Sequence, residues 1–91
     1  MAGEAGQPAL AAAQFRDLLA DELRVLGPDH PETLIARGNF AYWVSEAGQP
    51  ALAAAQCRDL LADCQRVLGP DHPHTLTARS NLAHLLKQQP S

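Results

Sequence analysis

Two cysteines and four histidines are the residues of this 91-residue chain whose types could form a disulfide, bind a metal or move a proton. Cys57 and Cys64 stand in a run of Ala, Leu and other helix formers. On one helix their Cα atoms lie about 10.5 Å apart, beyond the roughly 7 Å that a disulfide can bridge. They read as reduced, half-buried thiols in the places that Phe15 and Glu22 hold one repeat earlier. Asp71, His72 and His74 crowd around Pro73, with His84 further along. Metal sites need three or four converging ligands. The same Asp-His-Pro block recurs at 29–31, where Glu32 stands in place of the later His. The block therefore reads as a helix start, and no metal or other cofactor is expected. There is no Gly-x-x-x-x-Gly-Lys loop, no Gly-x-Ser-x-Gly elbow and no His-Glu-x-x-His motif. The hydroxyls of Thr33, Ser45, Thr75, Thr77 and Ser80 lie in none of these patterns. The chain does not read as an enzyme, so its function must come from surfaces.

Helices position those surfaces. Ala and Leu dominate the hydrophobic 46% of the chain, while aromatics make up only 4% and β-branched apolar residues are nearly absent. Such a composition favours helix and excludes an all-β fold. The formal net charge is −3. No basic stripe of the kind that releases counterions from phosphates is present, so no nucleic-acid partner is expected. No apolar run reaches the roughly 20 residues needed to span a bilayer. No basic segment followed by an apolar core marks a secretory signal. The expectation is a cytoplasmic protein without a membrane partner.

The chain is a tandem duplication. Residues 4–45 align without gaps on 46–87, an offset of 42 residues with 31 of 42 positions identical. A period of that length points to a solenoid-type array. Each copy carries two helical patterns, which places helices at about 8–26, 31–47, 50–68 and 73–88 of one small domain. Leu10, Phe15, Leu18, Leu19, Val25 and Leu26 supply an apolar stripe on the first. Pro8 suits the first turn of a helix, and Gly27-Pro28 ends it. Asp29 is the expected N-cap of the second helix, with Glu32 completing a capping box. Gly48 is its natural end, and Pro50 opens the third. Short connections between such helices give antiparallel hairpins.

The segments Val25-Leu26-Gly27-Pro28-Asp29-His30-Pro31 and Val67-Leu68-Gly69-Pro70-Asp71-His72-Pro73, with Asn39-Phe40-Ala41 and Asn81-Leu82-Ala83, resemble the kinesin light chain type of tetratricopeptide repeat, or TPR. The resemblance covers nearly the whole chain. It implies an all-α fold of helix hairpins in a TPR-like right-handed superhelix. In that family helix A follows the Asp-His-Pro block and helix B follows the Gly turn, so the order here is B-A-B-A. One complete A–B pair is then flanked by two half repeats. Repeats bury their apolar faces against neighbours, so the raw ends should expose apolar patches. A homodimer or higher self-association is expected, most simply a two-fold dimer that continues the stack or exchanges helices.

The resemblance also implies a protein-interaction scaffold whose helix A face lines a concave groove for a protein or peptide. Carried onto this chain, that face comprises Ile35, Gly38, Tyr42, Ser45 and Glu46 in the first copy. In the second it comprises Thr77, Ser80, His84, Lys87 and Gln88. All five pairs differ between the copies, and eight of the eleven internal differences fall in helix A. The spacing from 35 to 45 puts these side chains on one helical face. Leu34/Leu76 and Ala41/Ala83 are unchanged and read as packing positions. Phe40, Trp43 and Val44, against Leu82, Leu85 and Leu86, read as core exchanges. The alternative to a ligand groove is a structural self-association segment, or an excised fragment of a longer TPR array with no ligand of its own.

Overall fold

The computed structural model describes residues 2–88. They form four helices, α1 (Ala2–Leu26), α2 (Pro31–Glu46), α3 (Pro50–Leu68) and α4 (Pro73–Gln88), with no strand among the described residues. Consecutive helices pack side by side, and α2 also touches α4, so α2 has all three other helices as neighbours. The result is a slab of 41 × 35 × 17 Å. The fold is the all-α helical-hairpin architecture expected of TPR-like repeats.

The turns follow from backbone chemistry. At the end of α2, Gly48 takes φ 97°, a left-handed conformation that costs a Cβ-free residue little. Its N–H donates to the Ser45 carbonyl, and the Gln49 N–H reaches back to the Val44 carbonyl. This paired closure satisfies carbonyls that a helix end leaves orphaned. Gly69 ends α3 at φ 94°, ψ 159°, a region open to glycine alone. Pro31 and Pro50 sit in the first turns of α2 and α3, where a missing N–H has no helical partner to lose.

Two expectations fail here. α1 begins at Ala2, not at Pro8, which lies inside the helix. The run Glu-Ala-Gly-Gln-Pro closes α2 at 46–50 but is helical at 4–8. At 46–50 the turn takes the Val44 and Ser45 carbonyls of the preceding helix as acceptors, whereas at 4–8 the same residues lie within a continuous helix. The second failure concerns the start of α2. Its N-cap is His30, whose Nδ1 accepts the Glu32 N–H at 3.1 Å. Asp29 is drawn instead to Arg66 on α3. The second copy repeats the device, with His72 Nδ1 accepting the His74 N–H at 3.1 Å. One ring nitrogen of the Asp-His-Pro histidine is therefore committed to the backbone. The His72 and His74 rings lie 5.1 Å apart, and no three metal-ligating side chains converge among the described residues.

The core is built in two clusters. Ala41, Val44, Ala53, Ala54, Cys57 and Leu85 form one, and Leu34, Leu60, Cys64 and Ala78 the other. Both cysteines are free and fully buried, not half-buried, because α3 is sandwiched between α2 and α4. Burial in apolar surroundings pushes both thiols up from their ordinary value. The stripe of α1 is much less covered. Phe15 and Leu19 are half-buried, but Leu10, Leu18, Val25 and Leu26 are exposed. The apolar pattern of α1 serves two faces, and only one of them meets α2.

Candidate functional site

Helix A residues divide between two neighbours. On α2, Thr33, Leu34, Ala36, Ala41 and Val44 are buried. On α4 only Thr75, Ala78 and Leu85 are buried. The concave strip left between α2 and α4 is floored by α3.

That strip holds two adjoining recesses. The larger, about 240 Å³, has Leu60 and Cys64 of α3 in its lining. Ile35, Gly38, Asn39 and Tyr42 line it from α2, and His74, Thr77 and Asn81 from α4. Gly38 opens it: a Cβ placed there would stand 3.6 Å from Leu60 Cδ2. The smaller recess, about 90 Å³, is lined by Tyr42, Ser45 and Glu46 of α2, Cys57 of α3, and His84 and Gln88 of α4. Tyr42 and Asn81 border both, so the two form one groove with a waist. Trp43 packs edge-to-face on Tyr42, with ring centroids 5.0 Å apart, which holds the phenol at the rim. Gln88 Nε2 and His84 Nε2 lie within hydrogen-bonding distance, 3.1 Å apart.

Eight of the ten helix A residues singled out in the sequence line these recesses. Ile35, Gly38, Tyr42 and Thr77 border the larger, and Tyr42, Ser45, Glu46, His84 and Gln88 the smaller. Ser80 and Lys87 are exposed and line neither. Asn39, Asn81 and His74, none of them expected on the groove face, also line the larger recess. The asparagines are identical in the two copies, so a search for internal differences passes over them. Their shared helical position and hydrogen-bonding amides were the available signal.

The groove sits beside a charge network that locks α2 to α3. Arg37 donates to Asp63 at 2.7 Å, and Arg66 forks onto both Asp29 oxygens at 2.9 and 3.2 Å. Arg66 also reaches Asp63 at 3.2 Å. The hydrogen bond from Arg66 holds the Asp29 carboxyl below the usual carboxylate range, and that from Arg37 does the same for Asp63. The groove carries one carboxylate, Glu46, and the His74 and His84 imidazoles, beside an apolar floor, amide side chains and a tyrosine.

A family model described as Tetratricopeptide repeat matches residues 33–74. The match takes in nearly all of α2, the whole of α3 and the start of α4, and over those residues the chain is similar to a tetratricopeptide repeat. Repeats of this type generally mediate protein–protein interaction. No curated protein and no solved structure matches the chain. No described helix is long and apolar enough to cross a membrane.

Proposed function

We propose that this chain is a protein-interaction module that holds an extended peptide segment in the groove between α2 and α4. The observation that carries this reading is the pair of adjoining recesses joined at Tyr42 and Asn81. Their volumes fall below the roughly 300–1,000 Å³ of cofactor and small-molecule sites. They suit successive side chains of a peptide. The Asn39 and Asn81 amides each offer a donor and an acceptor, which matches the polarity of a peptide bond. The exposed tyrosine at the waist supplies rigid amphipathic contact area. Ile35, Gly38 and Thr77 then set which side chain enters the larger recess, and Ser45, Glu46, His84 and Gln88 which enters the smaller. Ser80 and Lys87 belong to the rim in this reading.

The test is selection from a phage-displayed linear peptide library, with isolated peptides measured against wild type and Tyr42→Ala/His84→Ala. Selected peptides should bind wild type and lose at least about tenfold in affinity on the double variant, as hot-spot truncation does. Equal binding to both proteins would place the ligand surface elsewhere. Self-association is a second reading, favoured by the exposed apolar residues at the two ends of the slab, among them Leu18, Leu76 and Leu86.

A further inference from the structure

The two copies let one interface be read twice. In the interior, α2 packs on α3. Shifting each residue of that interface by one repeat gives α4 on one side and α1 on the other. Leu34 is 2% exposed, but Leu76 at the same repeat position is 46% exposed. Val44 is 6% exposed and its counterpart Leu86 41%. On the other side Leu60 is 4% exposed and its counterpart Leu18 45%. The same residue positions are core in the middle and bare at the two ends.

The charges carry the same relation. The interior interface is latched by Asp29 with Arg66 and by Arg37 with Asp63. One repeat on, Asp71 and Arg79 lie exposed on the α4 side, with no ion pair among the described residues. One repeat back, Asp21 and Arg24 lie exposed on α1. They already hold each other at 3.2 Å, as Asp63 and Arg66 do in the interior. The α4 end and the α1 end thus present the two halves of the latch. We propose that a second copy of this chain docks head to tail, its α1 against the α4 of the first. Asp71 then pairs with Arg24 of the second copy, and Arg79 with Asp21.

A polar exchange at this seam fits as well. Glu22 stands where the interior has buried Cys64, which lies in the field of Arg37. At the seam Arg79 takes the place of Arg37, so the carboxylate of Glu22 faces a guanidinium instead of apolar surface. Docking also completes a site. Leu18, Glu22, Ile35 and Asn39 line a recess open on one side. It corresponds to the larger groove recess without its upstream helix A. The α4 of a docked copy supplies that wall, bringing Ser80, Asn81 and His84 to where Gly38, Asn39 and Tyr42 stand in the interior. The groove then runs on from one copy to the next.

Such a contact is heterologous and does not close on itself. It therefore differs from the two-fold dimer expected in the sequence analysis. The experiment is sedimentation velocity of the 91-residue chain between about 10 and about 500 µM, a span suited to weak interfaces, with two charge reversals. Wild type should rise in mass with concentration and pass beyond a dimer. Arg79→Glu alone and Asp21→Arg alone should each stay near 9.7 kDa, with circular dichroism showing retained helix. Each places like charges across the seam. An equimolar mixture of the two should associate again, because every seam between unlike chains regains one opposite pair. Wild type that stays at 9.7 kDa throughout overturns the proposal. So does a mass that stops at a dimer, association of either variant as strong as wild type, or a mixture that fails to recover.

Discussion

The Arg66 guanidinium spans from α3 to the loop before α2 and grips both carboxylate oxygens of Asp29, at 2.9 and 3.2 Å. The two residues are 37 positions apart. The neighbouring imidazole, not this carboxylate, accepts the Glu32 backbone N–H, and His72 does the same in the second copy, where Asp71 has no ion pair among the described residues. Local capping and long-range pairing are thereby divided between adjacent side chains.

The network should make stability depend on acid. Arg66 lowers the Asp29 carboxyl and Arg37 lowers Asp63. In the unfolded chain both return to about 3.9 and bind protons at a higher pH than in the fold. Their contribution is therefore complete above that value and disappears as pH falls through the lower folded values. Asp63→Asn, which removes the charge and one of the two acceptor oxygens that serve Arg37 and Arg66, should cost about 1 kcal/mol near neutrality, a figure already reduced for solvent screening. It should also make the loss of stability on acidification shallower than in wild type. Urea unfolding of both proteins from about pH 7 to about pH 3 reads both effects. An unchanged acid slope would mean that the network contributes nothing.

The imidazole cap can be separated from the rest of the block. His30→Ala leaves the Glu32 N–H without its acceptor and should destabilise by about 0.5–1 kcal/mol, within the range of N-cap losses. His30→Asn returns a side-chain oxygen that caps well and should recover most of that loss in the same urea experiment. An Asn variant as weak as the Ala variant would show that His30 acts by something other than accepting this bond.

The helices and their connections were legible because punctuation is local: glycine supplies the positive φ of Gly27, Gly48 and Gly69, and proline marks the first turns. The fold class followed from the period and composition. What the sequence concealed was decided at a distance. Leu34 and Leu76 are the same residue in the same local sequence, yet one is core and the other surface. Burial there belongs to the neighbouring helix and not to the residue. In the groove, comparing the copies singled out positions that vary and passed over Asn39 and Asn81, which do not.

Gly38 shows how the groove is made at a cost to the helix. A glycine in a helix interior costs roughly 0.5–1 kcal/mol relative to alanine. The added Cβ of Gly38→Ala would meet Leu60 Cδ2 at 3.6 Å, an ordinary contact. The variant should therefore be more stable by about 0.5–1 kcal/mol, a rise in Tm of about 3–6 °C for a chain of this size. It also fills part of the larger recess, so peptides selected on wild type should bind it more weakly. Thermal unfolding and peptide titration of the same preparation check both. A destabilised variant would show that the methyl does not pack against Leu60 as this ordinary contact requires.

Thr33 and Thr75 pose the opposite case, a polar atom where the fold has no use for one. Both are completely buried, at the same place in the first turns of α2 and α4. Their Oγ1 atoms have no hydrogen-bond partner among the described residues. A buried hydroxyl without a partner costs about 1–3 kcal/mol. Valine keeps the branched shape and removes the oxygen. Thr33→Val and Thr75→Val should each stabilise by about 1 kcal/mol, and the double variant should show their sum, as independent sites on separate helices do. Loss of stability on either substitution, measured by chemical unfolding, would mean that the hydroxyl is satisfied in solution by a trapped water.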